Sequence, residues 1–369
     1  MFVKSNTDKK ITALEYACMA CDTIMSKFAP EDLPPKGVFH YHQGVFLTGV
    51  EKISLYKNKK KYKDYIRNWV DSIIECDGNI NTYDNTRLDD IQPSVLLFNL
   101  YKDTKKDKYI IALNNFIQLV EYWYKTDEGG FWHKKCHPNQ MWLDGIYMVC
   151  PFISMYALHM DRIELFDIAR LQINLMYQHM YDKNSGLMYH AYDHTKKEIW
   201  SDMETGCSPC FWGRAIGWYL AGIIDMLDYI PDTYNGKKEI IDILNNLLSS
   251  LVKYQNKTTG LWYQIVNRVD DKDNWLELSS SSLFVYSLLK AIRKGYISNK
   301  YKYAAEAGYN GVVKSIRIKD DNTIILPQIC VGTGVGDYEF YINRPVTEND
   351  LHGVGGFLHM CSEHIILES

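Results

Sequence analysis

A short segment that joins glycine to aromatic residues recurs three times and most constrains what this chain can fold into. It reads GGFWH at 129–133, GLMYH at 186–190 and GLWYQ at 260–264, each time after a polar turn. Each copy follows a stretch with apolar residues three and four positions apart, which predicts an amphipathic helix. A second stretch, apolar on nearly every side, comes after each copy. This recurring order is typical of a repeat architecture.

The two kinds of stretch differ in where their helices can lie. Helices that are apolar all round belong in the interior, whereas helices with one apolar face belong on the outside. Extended along the chain, the pattern predicts six helices of each kind, an all-α (α/α)6 barrel. No linker rich in Pro, Gly or Ser divides the chain, so we expect one domain over 1–369. Inner helices are predicted at 43–56, 88–101, 144–159, 211–230, 279–295 and 351–367, and outer helices at 11–28, 60–76, 106–125, 161–181, 236–255 and 299–315.

The charge balance argues against nucleic acid as a partner. The chain carries 41 basic and 45 acidic residues, a formal net charge of −4, with no long run of either sign. Phosphate binding would leave a basic stripe. The N-terminus lacks an apolar stretch of signal-peptide length, and no apolar run is long enough to cross a membrane. We therefore expect a cytoplasmic protein with no membrane partner.

Metal and cofactor motifs are absent from the sequence. The nine cysteines are scattered, and the pairs Cys18/Cys21 and Cys207/Cys210 each supply only half of a zinc site. Buried free thiols are the expected state of these pairs. The glycine-rich run 332–336 lacks the lysine of a phosphate loop, so we expect a flexible loop over a cleft. No metal site and no cofactor are expected.

Two aspartates stand at the starts of neighbouring inner helices. Asp89 opens the second predicted inner helix and Asp144 the third. A lone aspartate at such a position often only caps its helix. Two of them at the same end of a barrel favour a cleft with acid–base chemistry. Because Trp142 and Tyr147 flank Asp144, we expect desolvation to raise the pKa of its carboxyl group towards neutrality, as a proton donor requires.

Cationic and donor groups end the repeated segments or begin inner helices. His133 ends one segment and Lys134 comes directly after it, His190 ends another segment, and Arg214 opens the fourth inner helix beside Trp212. A single lysine or arginine near an aspartate is ordinarily explained by a structural ion pair. Convergence from separate loops favours an anionic ligand, most simply a carboxylate that Arg214 and Lys134 bind.

Several long segments resemble the unsaturated rhamnogalacturonyl hydrolases of glycoside hydrolase family 105. They include GFWHKK, QMWLDGIYMVCPF, GLMYHAYD and FWGRAIGWYLAGIIDMLDYIP, in that order, with YHQGVFLTGVEK before them and NDLHGVGGFLHMCSE after them. The resemblance implies that Asp144 is the general acid/base and Asp89 the supporting carboxylate. It assigns no individual role to Glu277 or His352. The matches to substrate-cleft positions are Tyr41, His133, Lys134, His190, Trp212, Arg214 and Trp218.

The resemblance also implies the reaction. Members of the family remove a 4-deoxy-hex-4-enuronic acid from small lyase-generated oligosaccharides by hydrating its C4=C5 vinyl ether. The unsaturated glucuronyl hydrolases of family 88 are the nearest alternative. The residues alone leave open an inverting glycosidase that uses Asp89 and Asp144, an epimerase that uses His133 and His190, and a non-catalytic oligosaccharide-binding toroid.

Overall fold

The computed structural model describes residues 11–80 and 85–368. Residues 1–10, on which the expected lack of a signal segment depends, lie outside the described residues. Most of the described chain is helical. The helices are α1 (Ala13–Lys27), α2 (Tyr41–Ile53), α3 (Lys59–Asp71), α4 (Leu96–Thr104), α5 (Asp107–Glu121), α6 (Asp144–His159), α7 (Leu165–Met180), α8 (Gly213–Met226), α9 (Lys237–Leu251), α10 (Leu278–Arg293), α11 (Lys302–Ser315), α12 (Tyr338–Ile342) and α13 (Leu351–Glu368).

The alternation of inner and outer helices is confirmed. In α8 every residue except Asp225 is buried, whereas α9 buries one stripe that includes Ile240, Leu244 and Leu247. Only an element surrounded by others can bury all its sides, so α8 lies inside and α9 lies outside. The inner set is α2, α4, α6, α8, α10 and α13, and the outer set is α1, α3, α5, α7, α9 and α11.

The inner helices close into a ring. Helix α6 packs on α8, α8 on α10, α10 on α13 and α13 on α2, while the turns that precede α4 lie between α2 and α6. Glycines let neighbouring helices approach closely. A β-carbon on Gly222 would lie 2.8 Å from the backbone of Ile146, and one on Gly355 would lie 2.6 Å from the backbone of Val45. Such contacts leave no room for side chains larger than hydrogen. The all-α barrel is therefore the observed fold.

The second inner helix differs from its prediction. Residues 88–95 form two short 3-10 turns, Leu88–Asp90 and Gln92–Val95, and the α-helix begins only at Leu96. Pro93 accounts for the difference, because it has no N–H to donate and it restricts the backbone of the residue before it. Asp89 consequently projects from a tight turn and not from a regular helix.

Short strands form in the segments that connect the helices. Four antiparallel pairs form, and the pair that matters for the site joins β1 to β4 with Trp142 opposite Ala191. No helix within the described residues is long and apolar enough to cross a membrane. The strands are β1 (Gln140–Trp142), β2 (Tyr181–Asp182), β3 (Leu187–Met188), β4 (Ala191–Asp193), β5 (Arg317–Ile318), β6 (Ile324–Ile325), β7 (Ile329–Cys330) and β8 (Val346–Thr347).

All nine cysteines lie within the described residues and none forms a disulfide. The pairs Cys18/Cys21 and Cys207/Cys210 are buried, as expected for free thiols, whereas Cys76 is exposed. Burial raises the pKa of the Cys207 thiol to about 11 and that of Cys210 to about 12. These thiols therefore stay protonated near neutral pH and are poor metal ligands.

Candidate active site

The three repeated segments share a positive backbone φ at the leading glycine and the same hydrogen bond to an inner helix. Their leading glycines, Gly129, Gly186 and Gly260, have φ angles of +92°, +71° and +78°, a region that side chains rarely adopt. The last residue of each segment accepts a hydrogen bond from the backbone amide at the start of the preceding inner helix. These bonds run from Leu88 to His133 (3.1 Å), from Leu143 to His190 (3.0 Å) and from Gly213 to Gln264 (2.9 Å).

This repeated bond brings together residues that are distant in sequence. The residues that follow the three donating amides are Asp89, Asp144 and Arg214, so these side chains occupy equivalent places around one end of the ring. Two of them meet the side chain of the residue that ends the paired segment, which is His133 for Asp89 and His190 for Asp144. The repeat itself therefore builds two carboxylate–histidine pairs.

Asp89 is buried between His133 and Lys134. Its Oδ1 atom lies 3.3 Å from Nε2 of His133, and its Oδ2 atom lies 3.4 Å from Nζ of Lys134. Burial alone would raise the pKa of Asp89, but His133, Lys134 and His40 together hold it well below its usual range. Asp89 makes no capping bond to its own turn. It is thus a fixed anion that positions His133 and Lys134.

Asp144 is the first residue of α6, yet its carboxylate does not cap that helix. Its Oδ2 atom lies 3.2 Å from Nε2 of the fully buried His190. Burial raises the pKa of Asp144, whereas the hydrogen bond from His190 and the nearby His133 lower it. The lowering effects are larger together, so the pKa lies below its usual value. The expectation that the aromatic setting raises this pKa is therefore wrong for the free protein.

Tyr341 completes a chain of hydrogen bonds that ends on Asp144. The tyrosine hydroxyl lies 2.6 Å from Nδ1 of His190 and accepts a bond from the amide of Gly336 at 3.4 Å. Burial holds the pKa of Tyr341 well above its ordinary value, so the hydroxyl stays protonated and can donate. Burial also lowers the pKa of His190, which leaves a neutral ring with one N–H.

The partners of His190 fix which nitrogen carries its single proton. Ionised Asp144 can only accept, so the Nε2–H of His190 donates to it. Nδ1 then accepts from the hydroxyl of Tyr341, whose own oxygen accepts from Gly336. The hydrogen bonds all point the same way, from Gly336 through Tyr341 and His190 to the carboxylate of Asp144, and they hold that carboxylate in one orientation.

Arg214 is buried by protein groups instead of facing an open cleft. Its Nη2 donates to the carbonyl of Val331 at 2.6 Å, its Nη1 donates to the carbonyl of Cys330, and Oε1 of Glu277 lies 3.9 Å away. Glu277 caps α10 and accepts the amide of Cys330 at 2.9 Å. Arg214 and Glu277 therefore hold the end of β7 from both sides. Carboxylate binding by Arg214 stays a prediction, and it must use the remaining N–H groups.

The predicted aromatic positions surround the two carboxylates. Trp142 stacks on His133 with ring centres 4.5 Å apart, and Trp212 lies 4.6 Å from the ring of His190. Trp218 lies deeper, buried against Tyr147 at 4.7 Å. Its contacts favour a packing role over a sugar platform.

Tyr41 lies at the first turn of α2 and approaches Trp218 edge-on at 6.2 Å. All nine predicted site residues therefore gather at one end of the ring. Tyr341 and His40 were not predicted. Tyr341 lies in the short helix α12 after the glycine-rich run, and no periodic pattern marks this helix. The YHQG segment that contains Tyr41 did point to the neighbourhood of His40.

Comparisons with known proteins agree with this architecture. The model of glycosyl hydrolase family 88 matches residues 16–367. A glycoside hydrolase from family 105 of C. acetobutylicum ATCC 824 is 35% identical, covering 95% of this chain and 99% of that one with a TM-score of 0.91.

Two other proteins are more distant. The unsaturated rhamnogalacturonyl hydrolase YesR of Bacillus subtilis is 27% identical over 267 residues, 70% of this chain and 71% of that protein. An unsaturated glucuronyl hydrolase from Bacillus sp. GL1 is 12% identical over 95% of each chain with a TM-score of 0.71, a likeness of fold alone. On its match to the family 88 model and its similarity to the C. acetobutylicum enzyme, the chain belongs to the glycoside hydrolases of families 88 and 105.

Proposed function

We propose that this hydrolase releases the 4-deoxy-hex-4-enuronic acid at the non-reducing end of small lyase-generated oligosaccharides, with unsaturated galacturonyl-rhamnose as its substrate. The observation that carries the proposal is the directed hydrogen-bond chain from Tyr341 through His190 to Asp144. The similarity to the rhamnogalacturonyl hydrolase of Bacillus subtilis supports the choice of substrate. We further propose that 1–369 acts as one domain in the cytoplasm.

Asp144 serves as the proton donor and acceptor in this mechanism. Its carboxyl group protonates C4 of the sugar, and positive charge develops at C5, where the ring oxygen stabilises it. Water adds to C5 and returns a proton to Asp144. The resulting hemiketal opens to a 5-keto acid and releases the neighbouring sugar, so one water is consumed. A single group suffices because the attack is not at the anomeric carbon.

Substrate binding must supply the proton-loaded form of Asp144, since the free carboxyl group is ionised near neutral pH. A bound uronate brings a negative charge and displaces water from the cleft, and both effects raise the pKa of a neighbouring carboxyl group. Lys134 is the partly exposed cation of the site, with 28% of its side chain accessible. We assign to it the pairing with the uronate carboxylate, while Asp89 keeps its ammonium group in place.

The activity is tested with unsaturated disaccharides derived from rhamnogalacturonan, pectin and glycosaminoglycans. Hydration removes the conjugated double bond, so loss of ultraviolet absorbance follows the reaction. We expect the rhamnogalacturonan-derived substrate to have the highest kcat/KM. Preference for a glycosaminoglycan disaccharide would indicate an unsaturated glucuronyl hydrolase, and binding without turnover would indicate a non-catalytic toroid.

Removing the hydroxyl of Tyr341 is expected to lower kcat by about tenfold, the effect of a lost hydrogen bond worth about 1.4 kcal/mol. Without that donor, Nδ1 of His190 loses its partner, and Nε2–H becomes a weaker donor to Asp144 because the hydrogen bonds of the chain no longer polarise one another. The pKa of Asp144 rises because the bond that lowers it is weaker. The protonated form therefore persists to higher pH, and the alkaline limb of kcat/KM should shift upward in Tyr341→Phe.

The matched control is Tyr338→Phe, which removes a hydroxyl from the same short helix α12. It should keep both the rate and the pH profile of the wild type. An unchanged pH profile in Tyr341→Phe would show that Tyr341 only packs against Trp212, to which its ring lies parallel at 5.7 Å. KM should change less than kcat, because Tyr341 is buried and acts through His190.

A further inference from the structure

A cluster of two histidines and one aspartate lies where the ring of inner helices closes. His42 is in the first turn of α2, Asp350 precedes α13, and His352 is in the first turn of α13. Oδ1 of Asp350 lies 2.7 Å from Nδ1 of His352 and 3.5 Å from Nε2 of His42. One ligand atom from each residue lies within 4.8 Å of the other two. None of these residues belongs to the proposed proton-transfer chain.

The hydrogen bonds of His352 direct a lone pair towards Asp350. Its Nε2 lies 3.1 Å from the carbonyl oxygen of Cys330, which can only accept, so Nε2 carries the proton. In the neutral ring Nδ1 is then a lone pair. This atom belongs to a fully buried side chain and lies 2.7 Å from Oδ1 of Asp350, its one polar neighbour among the described residues. Two acceptors at this distance repel each other unless a proton or a metal ion lies between them.

His42 presents a lone pair in the same way. Nδ1 of His40 accepts the backbone amide of His42 at 3.5 Å, so that nitrogen is unprotonated. The Nδ1 of His42 lies 3.0 Å from it and must be the donor. The single proton of the neutral His42 ring is therefore on Nδ1, and Nε2 directs its lone pair at Asp350. Two imidazole nitrogens and one carboxylate oxygen thus converge as possible ligand atoms.

We propose that His42, Asp350 and His352 bind a divalent transition-metal ion of the Zn²⁺ class. Two imidazole nitrogens and one carboxylate oxygen form a ligand set that zinc accepts, with the fourth position left for water. The other ring nitrogen of each histidine carries its N–H, which His42 donates to His40 and His352 donates to the carbonyl of Cys330. Such bonds usually orient metal-binding histidines. A cavity of about 470 Å³ lined by His40, His42 and Asp350 gives an ion access and leaves room for water.

The surrounding charges permit a cation and indicate its role. Arg214 is nearby, but Glu277 and two backbone carbonyls already neutralise or bind its guanidinium. The ion would join the start of α2 to the start of α13, the first and last inner helices. It therefore stabilises ring closure and takes no part in proton transfer. The proposal does not depend on the proposed reaction, because metal binding and activity are measured separately.

The test is titration of chelator-treated, full-length protein with ZnCl2 and CoCl2 by calorimetry, with thermal unfolding measured in parallel. Cys76→Ser and Cys136→Ser are present throughout, because the exposed thiols could bind zinc on their own. We expect one ion per chain, a higher Tm when the ion is bound, and a Co²⁺ absorption spectrum of nitrogen and oxygen ligands without thiolate bands. The Co²⁺ spectrum needs no ligand variant and so does not depend on a variant that folds.

Asp350→Asn and His42→Gln should each weaken Zn²⁺ binding by at least about tenfold. The control His179→Gln removes a surface histidine that pairs with Glu128, and it should keep wild-type affinity. If the parent protein binds no ion, or if His179→Gln abolishes binding while His42→Gln does not, the proposal is overturned.

Discussion

Asp144→Asn is expected to lower kcat by about two to four orders of magnitude, the usual effect of losing a general acid/base. The asparagine keeps the shape of the side chain and can still accept a bond from His190, so the backbone of α6 should not move. It can neither donate a proton to C4 nor accept one from water. Because Leu143 is the N-cap residue and the carboxylate of Asp144 makes no capping bond, the helix loses no cap.

Turnover and Tm are measured on the same purified samples, with Asp107→Asn as the matched control. Asp107 is also the first residue of a helix, α5, but it is exposed on the outer ring. Both variants should unfold near the wild-type temperature, and only Asp144→Asn should lose turnover. Near-normal turnover in Asp144→Asn would remove Asp144 from the mechanism, and a large loss of Tm would assign it a structural role instead.

The architecture could be predicted because the spacing of apolar residues along the sequence distinguishes inner helices from outer helices. A helix such as α8 is apolar all round, and one such as α9 is apolar along a single stripe. The local backbone at 88–95 could not be predicted from apolar spacing, since that spacing is kept while Pro93 changes the hydrogen bonding. Periodicity reports which face of an element is buried, and not how its backbone amides are satisfied.

The residues of the candidate site likewise fall into those that the sequence could place and those that it could not. His133 and His190 could be placed beside the carboxylates because they end equivalent segments of the repeat. Tyr341 could not be placed, because it reaches His190 from the short helix α12, which lies outside the repeat. The predicted direction of the pKa shift of Asp144 was wrong for a related reason. Flanking aromatic residues report burial, whereas the sign of the shift depends on His190, a partner that only the folded chain brings near.

Arg214→Ala is expected to lower the free energy of unfolding by about 3–5 kcal/mol, the range for removing one member of a buried ion pair. Arg214 and Glu277 are almost completely buried, so water cannot replace the lost guanidinium. The carbonyl groups of Cys330 and Val331 each lose one donor at the same time and keep only His352 and Thr333, respectively, as side-chain donors within the described residues. Unfolding by denaturant, followed by far-ultraviolet circular dichroism, measures the difference.

A surface pair and a double variant identify the cause. Lys238 and Asp242 form an exposed ion pair on α9, and Lys238→Ala should change the unfolding free energy very little. The double variant Arg214→Met/Glu277→Gln removes both buried charges and keeps the volume. Its loss of unfolding free energy should therefore be smaller than the sum of the losses in Arg214→Met and Glu277→Gln. Additive losses would mean that Arg214 and Glu277 act independently. If Arg214→Ala kept its stability and lost only affinity for the unsaturated uronate, Arg214 would bind the substrate carboxylate, as the sequence predicted, and would not anchor β7.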